Sequence, residues 1–177
     1  TYKGKFADNY LTGYGELTVQ DSYHYSGYFI DGVENGDGIL IQTDGEEYEG
    51  TFKDGYYLNG KLTLKNGLVY IADFDSFQPY YGTILYQDST RYIGDIKDWV
   101  PHGKGTIYLT DGGVFTCTWR KRTAHGQGEY LLPGGVTYKA IWKNGAIEGK
   151  GEIIYPDGKT NIGIWKNGVL LEELNGH

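Results

Sequence analysis

The chain has 177 residues, 39% of them hydrophobic, with 29 glycines, 18 tyrosines, four prolines and a net charge of −7. An acidic chain is poorly suited to nucleic acid, whose phosphates select cationic surfaces, and no run of about 18 apolar residues is available to cross a bilayer as a helix. Glycine and aromatics in this abundance, with little proline, point to many short strands joined by tight turns.

Taken in chain order, the first element is Tyr2-Lys3-Gly4-Lys5-Phe6, an aromatic, a small residue and a second bulky residue spaced two apart. It returns as Tyr25-Ser26-Gly27-Tyr28-Phe29 and Tyr48-Glu49-Gly50-Thr51-Phe52. Looser copies follow: Tyr70-Ile71-Ala72-Asp73-Phe74, Tyr92-Ile93-Gly94-Asp95-Ile96 and Phe115-Thr116-Cys117-Thr118-Trp119. Tyr138-Lys139-Ala140-Ile141-Trp142 and Asn161-Ile162-Gly163-Ile164-Trp165 close the series. The copies start at 2, 25, 48, 70, 92, 115, 138 and 161, so every step is 22 or 23 residues, and the last copy is partial. A register held this constant marks a repeat array.

Each copy has a second half opened by a Gly-x-Gly step, as in Gly13/Gly15, Gly36/Gly38, Gly103/Gly105, Gly126/Gly128 and Gly149/Gly151. The third and fourth copies keep one glycine, Gly60 and Gly82. Large residues follow at alternate positions, such as Leu62/Leu64 and Ile153/Tyr155. Asp44-Gly45, Asn66-Gly67, Asp111-Gly112, Gly134-Gly135 and Asp157-Gly158 then supply turns. A spacing of two places side chains on one face of a strand, and Asp-Gly or Asn-Gly between two such runs is a hairpin signal.

Each repeat is therefore read as two antiparallel strands. The chain is expected to be all-β, one array over residues 1–177, a single-sheet meander of consecutive hairpins. Two strands at about 4.8 Å each give about 10 Å per repeat, an elongated, curved and twisted trough of roughly 70 Å. Aromatics and glycines are expected on its concave face, with Lys, Glu, Asp and Thr on the other. Leu170–Leu174 is the one segment with a helix signal, a short terminal cap.

The unit Tyr-x-Gly-x-Phe/Trp, then Gly-x-Gly, then Asp-Gly at 23-residue spacing resembles the MORN repeat over essentially the whole chain. The resemblance implies a hairpin array serving as a scaffold at cytoskeletal structures or membrane junctions, or as an accessory domain of a larger enzyme. It implies binding of a partner's helical or extended segment, with dimerisation through one end and anionic phospholipid contact as further family roles. Ala72, Cys117 and Ala140 depart from the pattern by replacing the strand glycine, and Asp75–Tyr81 departs by replacing the glycine-rich turn.

The expected function is a non-catalytic protein–protein scaffold, with peripheral membrane association or an enzyme's accessory domain as the alternatives. The expected peptide groove is the aromatic row Tyr25, Phe29, Tyr48, Phe52, Tyr70, Phe74, Tyr92, Trp119, Tyr138, Trp142 and Trp165, joined by Tyr155. Aromatic anchors beside bare glycine backbone suit peptide recognition. Tyr56, Tyr57, Phe77, Tyr80 and Trp99 are expected on loops along one rim. The turn Arg120-Lys121-Arg122 is a candidate contact for an acidic partner or lipid headgroups. It belongs to a charge asymmetry: residues 1–90 carry 5 cationic and 14 acidic side chains, and residues 91–177 carry 11 and 9.

His102 and His125 precede the Gly-x-Gly step in neighbouring repeats; His24 and His177 lie elsewhere. No cysteine or carboxylate cluster accompanies them, so no metal or cofactor is expected. No nucleophile–base order or phosphate loop stands out. Cys117 is the one cysteine, which points to a reducing compartment, and the cytoplasm is the expected location. A chain starting without Met is expected to be a processed or trimmed piece.

Overall fold

In a computed structural model the described residues are 1–174, and His177 lies outside them. The chain divides into two compact units, Thr1–Gln87 and Asp88–His177. The first contains β1 (Tyr2–Ala7), β2 (Tyr10–Val19), β3 (Tyr23–Ile30), β4 (Val33–Gln42), β5 (Glu47–Lys53), β6 (Tyr56–Thr63), β7 (Val69–Asp75) and β8 (Gln78–Leu85). The second contains β9 (Arg91–Lys97), β10 (Val100–Tyr108), β11 (Val114–Arg120), β12 (Thr123–Leu131), β13 (Thr137–Lys143), β14 (Ala146–Ile147), β15 (Gly149–Ile154), β16 (Thr160–Lys166) and β17 (Val169–Leu174). In both units each strand pairs antiparallel with its chain neighbour, and β13 pairs with both β14 and β15. The all-β hairpin meander expected from the repeat is the fold of each.

The segment Leu170–Leu174 is not a helical cap. It is the end of β17, paired with β16 through Ile162↔Leu174 and Trp165↔Leu170. A five-residue helix cannot repay its nucleation cost, whereas a strand here finds a ladder already built.

The turns divide into two kinds. Inside every repeat but the one starting at Tyr70, where Ser76 (60°) alone of the two turn residues is left-handed, the hairpin closes on two residues that both have positive φ, such as Asp54 (51°) and Gly55 (80°), or Asn144 (51°) and Gly145 (84°). This is the type I′ geometry that matches strand twist. The Asp-Gly pairs between repeats make longer turns, in which only the glycine is left-handed. There the acidic or amide side chain accepts a bond from the amide two residues on: Asp44 from Glu46, Asn66 from Leu68 and Asp111 from Gly113.

Each hairpin also contains a bulge. In the 23-residue repeats the register slips by two residues at the Gly-x-Gly step: Cys117 pairs with Gly128, then Thr118 pairs with His125. Gly126, one of the two skipped residues, is left-handed at 76°, which a residue with Cβ resists. The repeats starting at 48 and 70 slip by one residue, as in Thr51↔Asn59 followed by Phe52↔Tyr57. The missing bulge residue is why those repeats span 22 residues.

The core is made by rings lying along the strands. The Tyr25 ring covers Gly27 and Gly38, which face each other across β3 and β4, and a Cβ on either would collide with it. Its hydroxyl donates to the Tyr28 carbonyl at 3.0 Å. Tyr48 repeats the arrangement over Gly50 and Gly60, its one proton shared between the carbonyls of Thr51 and Asn59, both at 2.9 Å. Tyr92 covers Gly94 and Gly105 and reaches the Asp95 carbonyl at 2.7 Å. Each ring also meets the fifth-position ring of the next repeat edge to face, Tyr25 with Phe52 at 5.0 Å and Tyr48 with Phe74 at 5.6 Å. Such contacts add about 0.5–1.5 kcal/mol beyond area burial. The repeats are thus coupled to nearest neighbours.

The later repeats use a different ring. Phe115 and Tyr138 are only half-buried where Cys117 and Ala140 replace the glycine. There Trp142 lies against Gly128, and Trp165 lies over Gly151 and Gly163. In these two repeats the fifth-position tryptophan covers the row, whereas the repeat starting at Tyr70 keeps a buried first-position tyrosine although Ala72 replaces its glycine.

Candidate functional site

The aromatic row expected to line a groove is turned inward. Tyr25, Tyr48 and Tyr92 are 0% exposed, and Phe29, Phe52, Tyr70, Phe74, Trp119, Trp142 and Trp165 are also buried. Tyr138 and Tyr155 are half-buried, and the Tyr155 hydroxyl donates to Glu173 at 2.9 Å. Burial pushes the phenols of Tyr25 and Tyr48 upward, and Glu34 adds to the effect on Tyr25. In this structure the buried rings are core, and Tyr138 and Tyr155 are the members of the row that stay partly open. The buried rings cover the strand backbone so closely that their part of the row seals itself.

An open surface lies on the opposite face. In the second unit a depression of about 680 Å³ has the row Gly105, Cys117, Gly128 and Ala140 along its floor. These residues face one another across β10, β11, β12 and β13. Their neighbours along each strand rise as walls, Lys104, Thr116, Thr118, Lys139 and Ile141, joined by Lys150 of β15. Alternation forces this, because the residues flanking an inward side chain point outward. Lys139 approaches Glu129, another wall residue, at 3.8 Å, and Ile141 is exposed. A smaller depression of about 320 Å³ in the first unit repeats the design with Gly60, Ala72, Ile71, Asp73, Tyr81 and Gly82. The second and fourth positions of the motif were the signal for this face, but the conspicuous aromatics drew attention to the other one.

The rim residues divide. Tyr56, Phe77 and Tyr80 are exposed. Tyr57 is buried, stacked on Tyr48 at 3.7 Å, and burial raises its phenol to about 12. Tyr56 and Tyr57 both meet Phe77, at 5.1 and 5.0 Å. Trp99 occupies the second unit's first turn, half-buried, with φ at 66°. Arg120, Lys121 and Arg122 are exposed around the β11–β12 turn.

The remaining polar groups do not converge. His24 bonds Thr18 at 3.0 Å, and His102 and His125 are half-buried on successive second strands. Among the described residues no three of His, Cys, Asp and Glu gather as metal ligands would. The Cys117 thiol is pushed up to about 12 by burial, so it is scarcely thiolate at neutral pH. No helix among the described residues is long and apolar enough to cross a membrane.

The MORN repeat profile matches residues 2–21, 25–47, 92–114 and 138–160, half of the chain. The chain belongs to the MORN repeat family. Between those matches this MORN protein keeps the same hairpins where glycines are replaced or bulges shortened. No curated protein matches it. Among solved structures, the TCP10 domain of Danio rerio CPAP in complex with a peptide of Danio rerio STIL is similar at 16% identity, over 93% of this chain and 80% of that one, with a TM-score of 0.45. The SAS-4 (dCPAP) TCP domain of Drosophila melanogaster, in complex with a proline rich motif of Ana2 (dSTIL), is similar at 13% identity, over 84% and 88%, with a TM-score of 0.43. So remote a likeness carries no functional conclusion.

Proposed function

We propose that this MORN array is a non-catalytic scaffold that binds an extended or helical segment of a partner protein in the depression of its second unit. The observation that supports this is the pairing of a small-residue floor, Gly105, Cys117, Gly128 and Ala140, with walls of mixed chemistry. A floor of glycines and small residues whose side chains are buried on the core side lets another backbone approach closely, and walls that combine Ile141 with Lys104 and Lys150 suit an amphipathic segment. Peptides selected from a displayed random library on the purified chain supply the test. Their affinity should fall at least tenfold in Thr118→Arg and Ile141→Glu, with far-UV circular dichroism unchanged. Selected peptides that bind both variants as they bind the parent chain would rule this site out.

A second reading, peripheral association with anionic phospholipid, is favoured by the exposed cations Arg120, Lys121 and Arg122. It requires vesicle co-sedimentation that rises with anionic lipid content, and sedimentation indifferent to that content removes it. The lone buried thiol suits the reducing cytoplasm, where a cytoskeletal or membrane-associated host assembly and a role as an enzyme's accessory domain remain part of this proposal. Pairing of two copies through an open sheet edge predicts a concentration-dependent dimer in sedimentation equilibrium.

A further inference from the structure

The sixth position of the motif, just after the buried fifth, is Lys97, Arg120, Lys143 and Lys166 in the four repeats of the second unit, spaced 23 residues apart. Each is exposed, and each pairs across its hairpin with the residue that follows the turn: Val100, Thr123, Ala146 and Val169. The preceding residues, Ile96, Trp119, Trp142 and Trp165, are all buried on the core side. Alternation therefore sends all four cations outward on the same face as the depression's walls. Thr118 and Ile141, two residues before Arg120 and Lys143, belong to those walls. None of the four cations makes a salt bridge among the described residues. In the first unit the same position holds Ala7, Ile30, Lys53 and Asp75, so the cationic column is not a requirement of the hairpin.

Successive hairpins repeat at about 10 Å, two strand spacings. Three residues of extended or polyproline-type chain also advance about 10 Å. Given the scaffold function above, we propose that this column recognises an extended acidic protein segment running across the strands, with a carboxylate at every third residue. Four carboxylates at i, i+3, i+6 and i+9 then face Lys97, Arg120, Lys143 and Lys166 in order. A helix matches the same interval only with carboxylates about seven residues apart, two turns along one face, so a carboxylate at every third residue meets the column only from an extended chain. The column selects register, while the depression supplies the rest of the contact.

The probes are two fluorescein-labelled 13-residue peptides of the same composition, rich in Ser and Pro. One carries Glu at every third position and the other carries its Glu residues adjacent. Fluorescence polarisation at about 0.15 M salt, where exposed charges more than about 8 Å apart are largely screened, should favour the spaced peptide at least fivefold. Lys97→Gln, Arg120→Gln, Lys143→Gln and Lys166→Gln should each weaken it about twofold to fivefold and together abolish the preference, while Lys65→Gln, at an exposed lysine of the first unit, leaves it intact. Circular dichroism and thermal melting confirm that each variant is folded. Equal affinity for the two peptides overturns the proposal. So does the case in which neither peptide binds but vesicles containing anionic lipid are bound through the same four residues. Library-selected peptides that still depend on Thr118 and Ile141 while the spacing preference is absent overturn the register proposal alone and leave the scaffold function standing.

Discussion

Gly38→Ala isolates the contact on which this fold depends. Gly38 does not have a left-handed φ, so alanine fits the backbone, yet its Cβ would run into the hydroxyl and ring carbons of Tyr25. The ring cannot tilt freely: it is 0% exposed, bonded to the Tyr28 carbonyl at 3.0 Å, and set edge to face against Phe29 at 5.1 Å and Phe52 at 5.0 Å. Displacing it loses a hydrogen bond worth about 1 kcal/mol and two ring contacts of about 0.5–1.5 kcal/mol each, so the expected cost is about 3 kcal/mol. Tyr25→Ala alone should cost about 3–5 kcal/mol. The double variant should fall short of the sum by about 2 kcal/mol, because the atoms that alanine at 38 would meet first, all of Tyr25, are gone. Urea titration reads this cleanly, since all four tryptophans lie in the second unit. Their emission follows that unit, and far-UV circular dichroism follows both. Additive costs, or a single variant within about 0.5 kcal/mol of the parent, would refute the reasoning that ring coverage, and not turn conformation, fixes glycine at this position.

Trp119→Phe should be costlier than Trp142→Phe by about 1–3 kcal/mol, measured by urea titration. The Trp119 indole donates to the Gly105 carbonyl at 2.9 Å, whereas the buried Trp142 indole nitrogen has no partner among the described residues. Arg122→Gly should stabilise the second unit by about 1 kcal/mol, because Arg122 sits at φ 67°, where a side chain costs about 1–2 kcal/mol; an unchanged melting temperature would contradict this. Stability should hold to about pH 9 and then fall. Burial raises Cys117 to about 12 from the ordinary thiol value of 9.0, and it raises Tyr25, Tyr48 and Tyr57 above the ordinary phenol value of 10.0. The unfolded chain therefore loses these protons first as pH rises, at about 1.4 kcal/mol per group per pH unit. Cys117→Ala should move the onset about one pH unit higher, and an onset that does not move would show that the thiol contributes nothing.

The hairpin repeat and its family were legible in the chain, because a period-two pattern copied every 22 or 23 residues leaves few ways to pair strands. Even the shortened bulge of the third and fourth repeats was visible as a missing glycine, although its meaning was not. The outward face was harder to read. Tyr25 and Tyr28 look alike in sequence, yet one is wholly buried and the other is half exposed.

Strand alternation, readable from Tyr-x-Gly-x-Phe, determined which residues share a face. Only the tertiary structure decided which face would be closed. The tyrosine and tryptophan rings fold down over glycine backbone, and the neighbouring repeat seals them there, which leaves the small-residue floor and its lysines open to solvent. That outcome depends on volumes and approach distances between strands, quantities that a linear order of residues does not carry.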